Sequence, residues 1–408
     1  NRIYKAARRT FCLNSLDVFM DCPGRERGGW LCDSLFTARV EKLLFGETQV
    51  NRAMLKNYLD LWSVNQEMKG FPCCYPSSLI EDYRERTEAF LASLLAHENK
   101  EGLLEGMSGL FIDWSMANYG FCLYPVSVAS NALYAATLEA CGQLYDRPDW
   151  QEKAQGIRAV LRERARSVNP FRQGEFFTDA LRRDDKGELV CGEVSTEACQ
   201  YYAFQFGLST PQDDPEMFEA LVDQYGVAPK AYKDNIYLLQ ANVFIGLYIR
   251  FEMLSKFGRY PELLQEMTTL FSYMLDHGPG TLWELISNKS SVCHGFASHA
   301  GVWLTADILG LHLANEREKT LSIAPNPCGL RWAKGTAELE GGLAMVQWAR
   351  GEDGFSMTVS APADYALSVT LPRELLLFDH ITINGTELPS RSLQAEGLQG
   401  TVEVRAWS

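Results

Sequence analysis

The run Asp21-Cys22-Pro23-Gly24-Arg25-Glu26-Arg27-Gly28-Gly29-Trp30-Leu31-Cys32-Asp33 is the densest polar cluster in the sequence. Pro23 and the glycines exclude a continuous helix, so the run is a loop between two helices. Asp21, Arg25, Glu26 and Asp33 could converge on one sugar, with Trp30 offering a flat face to its apolar side. Charge alone reads the same loop first as a solvated one, with surface ion pairs and a helix cap at Asp33. Three further clusters set an acid or a histidine beside aromatic residues. Phe111-Ile112-Asp113-Trp114-Ser115 places an acid next to a Trp, and Gly280-Thr281-Leu282-Trp283-Glu284 does so again. The second lies at a Gly-rich helix end, where a buried acid can reach a cavity. Ser290-Ser291-Val292-Cys293-His294-Gly295-Phe296-Ala297-Ser298-His299 brings two of the six histidines just before a helix. A lone His in such a place is more often structural.

Helical periodicity dominates the elements that must carry these clusters, from residue 1 to about 315. The pattern predicts about eleven helices: 3–17, one opening with a cap at Asp33-Ser34-Leu35-Phe36, then 50–67, 81–97, 126–144, 147–168, 195–207, 213–224, 236–257, 260–276 and 295–313. In the second of these, Leu35, Phe36, Val40, Leu43 and Leu44 fall on one stripe. Gly and Pro punctuate the helices, as at Gly70-Phe71-Pro72, Tyr124-Pro125 and Gly278-Pro279-Gly280. A short hairpin is predicted over Phe176–Val190, turning at Arg182-Arg183-Asp184-Asp185-Lys186-Gly187. After about residue 318 the period changes to two, as in Leu343–Trp348 and Phe355–Val359. The division is therefore a helical domain over 1–317 and a small antiparallel β-sandwich over 318–408. Consecutive antiparallel helix pairs followed by a sandwich suggest an (α/α)6 toroid with an accessory domain. Twelve helices would close such a ring, and the count is one short.

Composition narrows the partners. A formal net charge of −14 argues against nucleic acid and against an anionic membrane surface. No stretch approaches the roughly 20 apolar residues that span a bilayer. The basic segment from Asn1 to Thr10 lacks an apolar core and a cleavage site, so no signal peptide is visible. Eleven cysteines are scattered without metal-type spacing to histidine, which predicts reduced thiols and a cytoplasmic location. No phosphate-binding Gly-rich loop follows a strand, so no nucleotide cofactor is expected. Aromatics at 12% suit a carbohydrate site, since sugars need flat faces beside polar groups, but large cores use them equally.

Taken together and in order, the clusters resemble the α-L-rhamnosidases of glycoside hydrolase family 78. Asp21–Asp33 resembles the signature loop of that family. Phe111–Ser115, Gly280–Glu284, Cys293–His299 and Ile323-Ala324-Pro325 extend the likeness over nearly the whole chain. The resemblance implies an exo-acting, inverting hydrolase that releases terminal α-L-rhamnose from glycosides or oligosaccharides, without metal or other cofactor. Glu26 matches the general acid and Glu284 the general base. Asp21, Arg25 and Asp33 match residues that hold the rhamnose hydroxyls. Trp30, Trp114 and Trp283 would stack around the sugar's apolar face, with Asp113 and His294 as polar contacts. Inversion requires the two carboxyls about 6.5–9.5 Å apart, with one protonated and the other ionised. Two alternatives stay open: a sugar-binding relative without turnover, and a toroid glycosidase acting on another sugar. The oligomeric state is not legible.

The likeness departs from the family pattern in two places. Relatives usually carry β-sandwich domains before the toroid. After Phe71-Pro72-Cys73-Cys74-Tyr75-Pro76-Ser77-Ser78 they usually continue with a Trp-containing loop and another long helix. Here the sequence passes almost directly to Glu81-Asp82-Tyr83-Arg84-Glu85-Arg86, in keeping with the count of eleven. Either the sequence as given omits that segment, or the protein has lost a helix and with it one aromatic wall of the sugar site.

Overall fold

The computed structural model describes residues 1–46, 48–60, 81, 83–167, 175–227, 238–315, 318–389 and 393–408. The departure expected between Ser78 and Glu81 falls largely on 61–80, outside the described residues. Two compact units make up the chain. One comprises Asn1–Tyr58, Leu263–Trp283 and Ser291–Ser408; the other comprises Leu59–Glu262 and Glu284–Ser290.

In the first unit, α1 (Arg2–Asn14) buries Ala6, Ala7, Thr10, Phe11 and Asn14, a stripe at helical spacing. It ends three residues earlier than its pattern suggests, because a bridge between Ser15 and Phe19 turns the chain back. Helix α2 (Leu31–Phe45) stops at Gly46, whose φ of 67° closes the last turn onto the Lys42 carbonyl. Its start corrects the expected cap. Trp30 occupies the cap position and Asp33 lies inside the first turn, because the Asp33 carboxylate bonds to His294 instead. The Glu41 carboxylate in turn accepts the Val50 and Asn51 amides at 2.9 and 3.0 Å, anchoring the first turn of α3 (Gln49–Asp60). The chain from Gly295 to Ile308 is helical but irregular, with 3₁₀, α and π segments in turn. It is shorter than the predicted 295–313, since strand pairing begins at Leu311.

The period-two region forms two sheets. Strands β6 (Trp332–Leu339), β7 (Gly342–Arg350), β8 (Gly354–Ser360), β10 (His380–Ile383), β11 (Thr386–Glu387) and β13 (Thr401–Trp407) make an antiparallel sheet ordered 11-10-13-8-7-6. The other, ordered 12-9-5-4, contains β4 (Leu311–Asn315), β5 (Thr320–Ile323), β9 (Ala366–Thr370) and β12 (Gln394–Gln399). The sheets are antiparallel as expected apart from one pair, since β5 and β9 run parallel. Three strands of the opposite sheet separate them in sequence, and that crossover returns the chain in the same direction. Leu321, Ile323, Leu367 and Val369 of one sheet and Val346, Trp348, Met357 and Val404 of the other share one buried cluster. Phe11, Val40, Leu43 and Leu44 of the first helices join it. Sandwich and opening helices therefore have a common core, which burial of that apolar surface holds together.

The second unit contains α4 (Arg84–Leu95), α5 (Val128–Leu144), α6 (Pro148–Arg164), α7 (Glu197–Gln205), α8 (Pro215–Gln224) and α9 (Tyr248–Lys256). Helix α10 (Tyr260–His277) follows, and from Leu263 onward it belongs to the first unit. Local chemistry starts these helices where the residues dictate. The Ser127 and Thr196 hydroxyls accept amides one turn on, and Pro148 and Pro215 occupy first-turn positions that need no donor. The predicted hairpin is present as β2 (Ala180–Arg183) against β3 (Leu189–Cys191), with β1 (Val126–Ser127) on the other side of β2. One helix differs from its pattern. The run 236–257 is regular only from Tyr248, with a non-helical Phe244 before it. Amides that would continue the helix are taken by other partners there. Phe244 N–H donates to the Glu284 carbonyl, and Gly246 N–H to Asp113 Oδ1.

Candidate active site

The signature loop is closed by Asp21. Its amide donates to the Gly28 carbonyl at 2.9 Å, and Gly28 N–H returns a bond to Asp21 Oδ1 at 2.7 Å. Arg27 supplies the turn with a left-handed φ of 54° and donates from Nε to the Pro23 carbonyl at 2.8 Å. Gly28 permits a close approach, since a Cβ there would lie 2.6 Å from Trp30 Nε1. That approach lets the indole reach back to Glu26, donating to Oε2 at 3.2 Å. Arg25 pairs with the other oxygen, Oε1, at 3.1 Å. The Glu26 and Arg25 side chains are 45% and 51% exposed, so the paired acid stands in solvent reach on a fastened loop.

Beneath the loop the groups are dry. Asp21, Asp33 and His294 are all buried. Gly295 N–H donates to the Asp21 carbonyl at 2.6 Å, and His294 Nε2 lies 3.0 Å from Asp33 Oδ1. Burial pushes the Asp33 carboxyl above its ordinary range; His294 opposes this, and the charge of Asp21 adds to it. Cys22 donates its thiol to Asp21 Oδ2 at 3.1 Å. The first unit thus holds Asp21, Arg25, Glu26, Trp30 and Asp33 on or beside one loop, with His294 bonded to Asp33. Trp283, also in this unit, has no exposed surface. It packs over Gly278 and edge-on to Tyr273 at 5.9 Å. Such an indole cannot stack on a ligand, and its part is to wall the core next to Glu284 in the chain.

The second unit holds the other acid. Glu284 is 4% exposed and accepts a short hydrogen bond from the Ser290 hydroxyl. Its segment is tied down by Asn242, whose Oδ1 accepts from Ile286 N–H at 3.1 Å. The Asn242 side-chain amide donates to the Trp114 carbonyl at 2.8 Å, and its backbone amide donates to Asp113 Oδ2 at 2.8 Å. One asparagine therefore joins the segments of Asp113, Trp114 and Glu284. Asp113 is fully buried, with backbone donors on both oxygens, and burial raises its pKa to about 6. Its carboxylate holds the 242–246 segment. Trp114, 51% exposed, lines an open cavity of about 680 Å³ with Met116, Tyr119, Asn242 and Ile286. Sequence reading missed Asn242, which sits in an apparently helical run, and gave Ser290 no role. Neither carries a local signal, because their partners are far away in sequence.

Two family models match the chain. The bacterial α-L-rhamnosidase six-hairpin glycosidase domain matches residues 1–92, and the bacterial α-L-rhamnosidase C-terminal domain matches 319–376. A family 78 rhamnosidase from Bacillus sp. GL1 superposes with a TM-score of 0.77 at 20% identity, covering 91% of this chain and 42% of that one. The chain has the bacterial α-L-rhamnosidase fold. The α-L-rhamnosidase of Streptomyces avermitilis, solved with L-rhamnose, gives a TM-score of 0.74 at 17% identity over 99% of this chain and 41% of its own. The chain thus spans about two fifths of the length of these two solved rhamnosidases. No curated protein matches the sequence. The fold expected from the sequence, a six-hairpin helical domain followed by sheets, is the rhamnosidase one. Among the described residues no helix is long and apolar enough to cross a membrane.

Proposed function

We propose that the protein is an inverting α-L-rhamnosidase acting on terminal rhamnose of glycosides or oligosaccharides. The observation that carries this reading is the agreement of both rhamnosidase domain models with a signature loop that presents a fastened, exposed Glu26. Glu26 donates its proton to the glycosidic oxygen as the bond to the anomeric carbon breaks. Glu284 takes a proton from water, and the resulting hydroxide attacks that carbon from the opposite face. The two carboxyls then exchange protons with solvent to restore the starting state. Trp30 and Arg25 hold the Glu26 carboxyl in place, and Ser290 orients that of Glu284. Trp30 and Trp114 offer exposed indoles to the sugar's apolar face, while Asp21, Asp33 and His294 form the polar floor under the loop. The eleven cysteines, scattered in the sequence without a disulfide-type framework, favour a reducing, cytoplasmic compartment. The proposed division is a helical domain over 1–317 and a sandwich over 318–408, which leaves strand β4 (Leu311–Asn315) on the helical side of the boundary.

The test is incubation with p-nitrophenyl α-L-rhamnopyranoside, followed by proton NMR of the first sugar formed. Release of β-L-rhamnose before mutarotation is the expected result. An α-anomer first would overturn inversion, and binding of rhamnose without any turnover would make the protein a sugar-binding relative.

A further inference from the structure

Cys22 is not needed by the hydrolytic scheme, yet it sits at the centre of the buried floor. A ligand atom of each of Asp21, Cys22 and His294 lies within 4.8 Å of the other two. All three residues are buried, at 2%, 1% and 3% exposure. One carboxylate, one thiol and one imidazole form the donor set of a borderline-soft ion such as Zn²⁺ or Co²⁺. Mg²⁺ and Ca²⁺ prefer oxygen alone.

Two further observations fit such an ion. Asp33 Oδ1 lies 3.0 Å from His294 Nε2. A carboxylate beside one ring nitrogen is the pairing that orients metal-bound histidines. The second is the spacing of donors. Cys22 Sγ stands 3.1 Å from Asp21 Oδ2. Sulfur and oxygen on a tetrahedral zinc stand about 3.5 Å apart, so a small opening replaces the thiol proton by the metal. Asp21 and Asp33 also crowd two carboxyls into one dry place, where a cation offsets their repulsion.

We propose that Asp21, Cys22 and His294 bind a divalent ion of the zinc class, and that its binding inhibits hydrolysis. On binding, the Cys22 thiol loses its proton to solvent and the metal–sulfur bond forms; nothing is oxidised or reduced. Asp21 and His294 cannot then serve the sugar, so metal and rhamnose exclude one another. The binding half stands on geometry alone, whereas the inhibition half rests on the proposed function.

The test is titration of the full chain with Co²⁺ and Zn²⁺, beside Cys22→Ser and His294→Gln. Serine keeps the hydroxyl donor to Asp21 and removes the sulfur ligand. The wild type is expected to develop a thiolate-to-cobalt charge-transfer band saturating at one equivalent and reversed by Zn²⁺. In Cys22→Ser the band is absent and hydrolysis persists, with inhibition requiring at least about ten-fold more zinc, or 1.4 kcal/mol of affinity. His294→Gln weakens the band. An unchanged band in Cys22→Ser would assign the thiolate to another cysteine and overturn the site, as would no band in the wild type. Full hydrolysis at saturating zinc would overturn the inhibition. A protein that shows the band but hydrolyses no rhamnoside would keep the site and remove the functional reading.

Discussion

At the scale of the residue, the arrangement depends on a few side chains whose partners are set by geometry. Trp30 is the sharpest case, because a single indole bond steadies the acid that faces solvent. Trp30→Phe keeps the ring and deletes the donor, and is expected to lower kcat about ten-fold, the equivalent of one charge-assisted hydrogen bond. Steady-state kinetics check this, with KM changing little. Asp113 makes a different prediction. Backbone donors meet both of its oxygens, and Asn would turn an NH₂ toward one of them. Asp113→Asn should therefore cost about 1–3 kcal/mol in urea unfolding, the penalty of a buried unmatched donor. No loss of stability would show that the carboxylate does not hold the 242–246 segment. The loop from Asp21 to Asp33 was legible because its polar residues are contiguous. The individual roles were less so: burial of Trp283 and Asp113 depends on what packs on them, and neither neighbour adjoins them in sequence.

At the scale of the element, periodicity and punctuation described most helices well. Their starts follow Ser127, Thr196, Pro148 and Pro215, whose effects are local. Failures came where a tertiary partner took a backbone or side-chain group. Asp33 reads as a cap but serves His294, and the run before Tyr248 reads as helix but gives its amides to Asp113 and Glu284. The parallel pairing of β5 with β9 was equally invisible, since strand order is decided by the crossover and not by either strand's residues. Gly46 gives an element-scale prediction. Its φ of 67° ends α2, and a Cβ there would meet that of Glu338 at 2.6 Å. Gly46→Ala should destabilise the first unit by about 1–3 kcal/mol through strain and overpacking. Thermal unfolding measures it, and an unchanged midpoint would mean the helix end is free to move.

At the scale of the whole molecule, pH reads the buried carboxyls together. Burial raises Asp113 from 3.8 to about 6 and Asp179 to about 7. Between pH 4 and 7 the folded chain binds more protons at these groups than the unfolded chain. Their contribution to stability is therefore present in acid and falls as pH rises through that window. The Arg-paired carboxyls Glu101, Glu105 and Glu139, lowered from 4.5 by Arg183 or Arg158, lose their contribution at the acid end, as pH falls from the unfolded value through the folded one. His312, lowered from 6.5 by burial, acts oppositely, so the wild-type profile alone mixes the two signs. Asp179→Asn separates them. Relative to wild type, this variant should gain stability at pH 7.5 compared with pH 5, measured by urea unfolding at both. A difference of the opposite sign would mean that Asp179 is ionised at ordinary pH and held by Thr196.

The central claim is that Glu26 gives the proton and Glu284 activates water, and leaving-group dependence separates the two roles. Glu26→Gln and Glu284→Gln should be assayed with p-nitrophenyl and methyl α-L-rhamnopyranosides. A departing nitrophenolate needs little protonation, so Glu26→Gln should lose about 10²–10⁴-fold on the methyl glycoside and far less on the aryl one. Glu284→Gln should lose activity by similar factors on both. Equal losses for Glu26→Gln on the two substrates, or an active Glu284→Gln, would contradict the assignment.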